Sequence, residues 1–448
     1  MGKEKRVLIV GAGPAGLFCA YRLVEAGIPV LLVDRMSSPG RKFLLAGSSG
    51  GLNCTHRGTP AELSEKYYGN EALFKGLLED FSPDDLIKWY KELGSDTFVG
   101  NGGKIFASLP VQAVLKYWIE KLEAANQTAA GSRGVPLFTF QGGLEFTGFS
   151  AEAGQFMFRQ GDAAVELGTE YAVFALGGGS RPETGSNGAW VNAFQAAGIQ
   201  VAPLRSANCG VEARWSPLLR QRIAEATARA AAGATRATAG AVQGTPDGAG
   251  TAAHDTATAH GTVARGASLD IALECSGRAS TGEVVLTGYG LEGSGVYSIG
   301  WFIRQELEKS GTCTLTVDLL PHLSAEQLKR RLSKPRGKNS LSNYARKALG
   351  LTGLSYLLFR ELSPEGDLSQ VKNLPLAVTG CRPLAEAISS AGGVCLSQLD
   401  SDFMLKSKPG CFVIGEMADW EAPTGGYLLQ GCFSTAYRAS EKIIDLLS

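Results

Sequence analysis

Residues 6–34 read RVLIVGAGPAGLFCAYRLVEAGIPVLLVD, and this stretch decides the fold. Residues 6–10, Arg6 followed by four aliphatic residues, read as a strand buried on both faces of a parallel sheet. Residues 17–26 then show helical spacing, Gly27 stops the helix, and residues 29–33 form a second apolar strand that ends on Asp34. Between the first strand and the helix lies Gly11-Ala12-Gly13-Pro14-Ala15-Gly16. Gly11 permits the tight turn, Gly13 lets backbone approach a pyrophosphate, and Gly16 lets helix pack closely on strand. The helix start offers unpaired N–H groups and about half a positive charge to an anion. Asp34, with Arg35 beside it, stands where a carboxylate accepts both ribose hydroxyls of an adenosine. The order of strand, glycine turn, helix, strand and acid predicts dinucleotide binding. A glycine turn alone would be weak evidence, with Asp34 merely solvating a strand end.

Two further segments suit the same ligand. Gly40-Arg41-Lys42 leads into a glycine-rich loop that includes Gly51 and Asn53. Its cations can neutralise phosphate, and its glycines let backbone lie along a flat ligand. Near the other end, the apolar residues 411–414 stop at Gly415-Glu416, followed by Asp419 and then Gly425-Gly426-Tyr427 opening a helix. An acid there can bond a sugar-alcohol chain, and a helix start can stabilise negative charge on a ring edge. Taken singly, either segment also reads as an ordinary loop or crossover.

Composition sets the bounds. The chain has 448 residues with 43 Lys+Arg against 43 Asp+Glu, which argues against nucleic-acid wrapping through bulk charge. Nine Cys without a CxxC pair, and four His, predict buried reduced thiols and no metal site. Apolar runs are too short for a membrane span and residues 1–5 lead directly into a strand, so the expected location is cytoplasmic. Residues 224–267 hold 32 Ala, Gly or Thr among 44, which predicts a flexible insertion whose first part, to about Ala232, extends a helix. Residues 329–347 carry eight Lys or Arg and no acid. That run reads as a solvated helix face or as a surface for a polyanion, either a phosphate-bearing substrate or RNA.

The chain resembles the two-dinucleotide-binding-domain flavoproteins, and within them the YhiN/BaiN-like NAD(P)/FAD-dependent oxidoreductases. The likeness rests on GAGPAG (11–16), GRKFLLAGSSGGLN (40–53), ALGGGSRPETGSNGAW (175–190), GEVVLTGYGLEGSGVY (282–297) and GEMADWEAPTGGYLLQG (415–431). Where many members carry Gly-Gly-Gly-Arg-Cys-Asn, this chain has Ser49-Gly50-Gly51-Leu52-Asn53-Cys54, which marks a sub-branch. The resemblance implies an α/β fold with a Rossmann-like FAD-binding domain split in sequence. Residues 1–198 and 376–448 would form it, with an inserted β-rich subdomain (199–320) and a small helical one (321–375).

It also implies FAD as cofactor, with Gly11, Gly13, Pro14, Ala15 and Gly16 on the pyrophosphate and Asp34 and Arg35 at the adenosine ribose. Arg41 and Lys42 would lie near the pyrophosphate and the flavin entrance, with Gly51 and Asn53 in the loop beyond. The Gly177-Gly178 turn would pass close to the cofactor. Glu416 or Asp419, next to Gly415, would reach the ribityl chain, and Gly425, Gly426 and Tyr427 the isoalloxazine. NAD(P)H is the expected electron donor and an organic small molecule the expected acceptor. Tyr427 and His56 are the polar groups nearest the expected ring position, Cys54 reads as packing or as a thiol near the flavin, and no residue is assigned as acid or base. An oxygen-using oxidase or hydroxylase, and a flavin-containing RNA-modifying or RNA-binding protein, are the alternatives.

Overall fold

The computed structural model describes residues 6–47, 51–129, 136–241 and 268–448, which group into two compact units: 6–207 with 383–448, and 208–382.

In the first unit, Val7–Val10, fully buried, is the centre of a five-stranded parallel sheet. Val30–Asp34 pairs on one side, followed by Phe138–Gly142. Ala172–Phe174 pairs on the other, followed by Cys411–Val413. Strands remote in sequence therefore end side by side, and the loops after them meet along one edge, where ligands bind in open α/β sheets. The helix Pro14–Glu25 opens with Pro at a position that needs no N–H, and buries Leu17, Phe18, Ala20, Tyr21, Leu23 and Val24. The last helix, Tyr427–Leu447, lies against it. Phe18, Phe81, Trp89, Trp118 and Phe433 pack ring against ring in the core between the helices. A two-stranded antiparallel ribbon, Val201–Ala207 with Ser389–Val394, carries the chain out of and back into this unit.

The second unit is a closed six-stranded barrel in the order Val211–Ala213, Gly290–Glu292, Arg278–Thr287, Ser268–Cys275, Cys313–Asp318, Leu374–Cys381. Closure removes exposed strand edges. Ala325–Leu332, Leu341–Leu349 and Gly353–Leu362 are helices within the 321–375 region expected to be helical, and Leu328, Ala345, Leu349, Leu358 and Phe359 join the same core as the barrel strands. The division falls at 382/383 rather than 375/376 because Leu374–Cys381 pairs with two barrel strands. Its alternating buried and exposed residues fix which face turns inward. At the other boundary, residues 201–207 pair with Ser389–Val394 and so belong to the first unit. The Ala-rich helix runs Pro217–Ala241, past the expected end near Ala232, and residues 242–267 of the expected insertion lie outside the described residues.

One glycine of the barrel has no alternative. Gly290 has φ +156°, and a Cβ there would fall 2.0 Å from the carbonyl oxygen of Val211 on the paired strand. Gly290→Ala is expected to lower the stability of this unit by roughly 2–4 kcal/mol, read as a drop in the thermal unfolding midpoint.

Candidate functional site

A cleft opens at the end of the parallel sheet in the first unit. Gly11, Gly13, Pro14, Asp34, Arg35, Arg41 and Lys42 line one part of it, and Gly177, Ser186, Gly415, Glu416 and Cys432 the rest. Segments near residues 11, 34, 177 and 415 thus contribute to one continuous groove.

The glycines shape its floor. Gly11 has φ +108°, and a Cβ would sit 2.3 Å from the Ala175 carbonyl oxygen. At Gly16 a Cβ would sit 1.9 Å from the Gly11 carbonyl oxygen. At Gly13, by contrast, a Cβ would meet nothing within 4 Å. Gly11 and Gly16 serve packing, while Gly13 leaves open space above the helix start. Asp34 is fixed by two backbone donors: Ala12 N–H donates to Oδ2 at 2.7 Å and Met36 N–H to Oδ1 at 2.7 Å. Burial nevertheless pushes its carboxyl above the ordinary aspartate range, against the pull of those two bonds.

At the other end Lys42 Nζ lies 2.6 Å from Glu416 Oε2 and donates to Ser180 Oγ at 2.7 Å. Ser390 N–H donates to Glu416 Oε1 at 2.8 Å. Ser390 Oγ accepts from Gly179 N–H at 2.8 Å and Ser180 N–H at 3.2 Å. Gly178 belongs to the wall behind, since a Cβ there would strike Ser390 Oγ at 2.3 Å. Ser180 and Ser390 escaped the sequence reading. The signal that marks the second is Gly392-Gly393, with φ of +87° and +135° inside a buried strand.

Gly51, Asn53, Gly425, Gly426 and Tyr427 gather separately, around the strand Asn53–His56. A Cβ on Gly426 would fall 2.4 Å from the Thr55 carbonyl oxygen. With its amide oriented to suit its neighbours, Asn53 accepts from Gly426 N–H at 3.3 Å. The His56 and Tyr427 rings stack at 5.1 Å and 15°. Tyr67 Oη–H donates to the Tyr427 carbonyl at 2.8 Å, and burial raises the Tyr427 hydroxyl to about 12. Cys432, five residues along the same helix, lines the cleft, and burial holds its thiol at about 12. Cys54 is buried beneath this cluster with its thiol also raised to about 12, which suits packing rather than redox work.

Asp419 goes elsewhere. It lines a second cavity of about 310 Å³ with Arg205, Tyr68, Asn70 and Glu421, sharing no residue with the cleft. The turn after Glu416 carries the chain through buried Met417 and Ala418, so the two acids of the 415–419 motif face different spaces. Among the described residues there is no group of three or more His, Cys, Asp or Glu suited to a metal ion, and no helix long and apolar enough to cross a membrane.

The cleft has what an extended dinucleotide asks of its floor: an acid at one end, a side-chain-free helix start in the middle and a lysine–carboxylate pair at the other end. The model of the HI0933-like protein Rossmann domain matches residues 5–442. The chain belongs to this family. With it, the expectations of a Rossmann-like FAD-binding fold and of an FAD-dependent oxidoreductase hold at family level. The ribosomal RNA dihydrouridine synthase of Escherichia coli is 24% identical, over 98% of this chain and 97% of its own. The 3-dehydro-bile acid delta(4,6)-reductase of Clostridium scindens is 23% identical over 97% and 98%. A solved 3-ketosteroid-delta4-(5alpha)-dehydrogenase of Rhodococcus jostii aligns over 99% of this chain and 97% of its own, with 13% identity and a TM-score of 0.49.

The Lys42–Glu416 pair is mostly shielded, with side-chain exposures of 24% and 13%. Lys42→Met leaves the carboxylate with one backbone donor in place of two partners. It is expected to cost roughly 1–3 kcal/mol in chemical denaturation, whereas Lys42→Met paired with Glu416→Gln is expected to cost less than the single change.

Proposed function

We propose that this chain binds FAD along the cleft and uses it to reduce a carbon–carbon double bond conjugated to a carbonyl, with NADH or NADPH as electron source. The observation that carries the cofactor reading is the single groove joining Asp34, the open Gly13 and Glu416. The acceptor class draws on the names of the two full-length relatives. One makes dihydrouridine, which is uridine with its ring double bond beside a carbonyl reduced; the other is a delta(4,6)-reductase of a 3-dehydro substrate. Both names describe hydride addition to an alkene activated by a neighbouring carbonyl. The nicotinamide donor is inferred from the family resemblance.

FAD held in the cleft would supply the hydride-transfer chemistry between nicotinamide and acceptor. The chain's own part is binding and electrostatics. Asp34, held by the Ala12 and Met36 N–H groups, keeps free lone pairs for the two ribose hydroxyls. The helix start at Gly13 and Pro14 and the Arg41 guanidinium face the pyrophosphate. Arg35 stands at the adenosine end, and the backbones of Gly11, Ala15, Gly16, Gly177 and Gly415 bound the channel. Glu416, oriented by Lys42 and the Ser390 N–H, accepts from the ribityl hydroxyls. Gly51, Asn53, Gly425 and Gly426 bring backbone to the ring. The start of the Tyr427–Leu447 helix supplies positive potential where reduction places negative charge. Tyr427 and His56, stacked together, stand at the ring. Asp419 takes no part.

The purified protein is expected to be yellow and to bleach anaerobically on adding NADH or NADPH. A conjugated enone should then restore the colour without oxygen, while the matching saturated ketone should not. A preparation that takes up no FAD sinks the cofactor reading. Reoxidation by oxygen alone, with peroxide released, would point to an oxidase.

Asp34→Asn is expected to weaken FAD binding roughly 10- to 100-fold, the loss of charged acceptors to two hydroxyls. The ionised carboxylate is the strong acceptor. Affinity is therefore full above the Asp34 pKa and declines as pH falls through it, starting above the ordinary aspartate value because that pKa is raised. Fluorescence titration with FAD from pH 7 downward should show this decline in the wild type and a flat response in Asp34→Asn.

A further inference from the structure

A small sheet stands against the start of the last helix. Asn53–His56, Lys104–Ala107 and Thr97–Val99 pair antiparallel, with Lys104–Ala107 in the middle. His56 is the register partner of Lys104. The middle strand is entered through Gly102-Gly103, with φ of +70° and +87°. A Cβ on Gly103 would fall 2.7 Å from His56 Cε1, so only glycine lets the chain pass that ring just before Lys104.

Lys104 reaches from this sheet to the helix start. A Cβ on Gly425, which has φ +121°, would fall 4.0 Å from Lys104 Cε and 3.2 Å from Tyr427 Cε2. The lysine stem, the Tyr427 ring and the glycine backbone thus meet at one point. Lys104 is half-buried. Lys42, Lys88, Lys116, Lys372 and Lys442 each pair with an acid. Among the described residues Lys104 pairs with none. An ammonium taken partly out of water without a counter-charge is costly, and a lysine stem is long enough to carry its head into solvent instead. The positive start of the 21-residue helix Tyr427–Leu447 adds repulsion. Two positive features that converge without compensation are what a site for developing negative charge requires.

We propose that Lys104 is a catalytic residue, its ammonium facing the pyrimidine edge of the isoalloxazine and holding the negative charge that reduction places there. The inference rests on the FAD reading above and is independent of the acceptor class. Hydride brings two electrons and one proton, so the neutral ring becomes an anion while the nicotinamide becomes its oxidised cation. The oxidised ring offers Lys104 no charge. The lysine therefore favours one state over the other instead of tightening both, which is the condition for a rate effect. Lys42 cannot do this, because Glu416 at 2.6 Å balances it in both states.

Full-length FAD-loaded protein is compared with Lys104→Met, Lys104→Gln and Lys104→Arg at one pH. Two neutral variants are used so that misfolding of one leaves the other. The first readout is the two-electron potential of the bound flavin, by equilibration with a reference dye. The second is titration with sulfite, whose sulfur lone pair forms a bond to the flavin N5 and sends an electron pair to the pyrimidine edge, with no leaving group. Wild type should form this adduct. The neutral variants should hold oxidised FAD about as tightly as wild type. Their reduced flavin should be held roughly 10- to 100-fold less tightly, a fall in potential of about 30–60 mV, with a similar loss of sulfite affinity. Lys104→Arg keeps the charge and should stay closer to wild type than to either neutral variant. A merely structural role would weaken both states of the flavin and leave the potential where it was. Neutral variants with unchanged potential and sulfite affinity, neutral variants that both lose oxidised FAD, an equal loss in Lys104→Arg, or a wild type without the adduct would each overturn the inference while wild-type FAD binding stands. A wild type that takes up no FAD overturns the cofactor reading and this inference together. The potential shift without reoxidation by any conjugated acceptor would sink the acceptor reading and leave the role of Lys104 standing.

Discussion

The first unit depends on an approach of backbone to backbone too close for a methyl group. A Cβ on Gly16 would overlap the Gly11 carbonyl, one on Gly11 would overlap the Ala175 carbonyl, and one on Gly415 would lie 2.7 Å from the Ala15 Cβ. These contacts press the first turn of the opening helix against the ends of three parallel strands. Two of those strands come from far along the chain. The groove exists because little besides main chain and the methyl groups of Ala15 and Ala175 occupies this junction. Its floor is then a row of N–H groups and carbonyls, while the apolar bodies of Leu17, Phe18 and Val10 lie beneath.

The polar cluster at the far end follows from the same geometry. Glu416 emerges beside Gly178 and Ser390, where burial would penalise its charge unless donors met it. Lys42 supplies a cation and Ser390 a backbone N–H, while Ser180 accepts a second lysine proton. Such a network is stable only when every member is satisfied. That condition explains why residues 42, 180, 390 and 416 are linked although three separate segments lie between them.

Local pattern carried much of this into the sequence. The run from Val7 to Asp34 was legible because each residue's role there is set by its neighbours: apolar strand, permissive glycine, helix start, acid. The meeting of the 415 segment with the 11–16 turn was legible through what both offer one ligand. Asp419 was not, because its direction depends on how the turn after Glu416 is buried, and a one-residue change of phase sends a carboxylate into another cavity. The boundary near 375 escaped for a related reason. Residues 374–381 alternate as a strand, but which sheet they join is decided by pairing with Val211–Ala213 and Cys313–Asp318, which local pattern does not encode.

Net charge illustrates the same division between what composition fixes and what arrangement adds. The chain balances 43 cations against 43 acids, and eight of those cations fall within residues 329–347. The remaining 35 face 43 acids, so the rest of the chain is acidic on balance. At physiological salt, interactions between exposed charges fade over about 8 Å. A phosphate near that run therefore responds to the cations beside it and very little to the compensating acids spread elsewhere. Zero net charge excludes long-range attraction of nucleic acid to the whole surface. It places no limit on a local array of like charges, whose strength depends on spacing and on the acids paired with it.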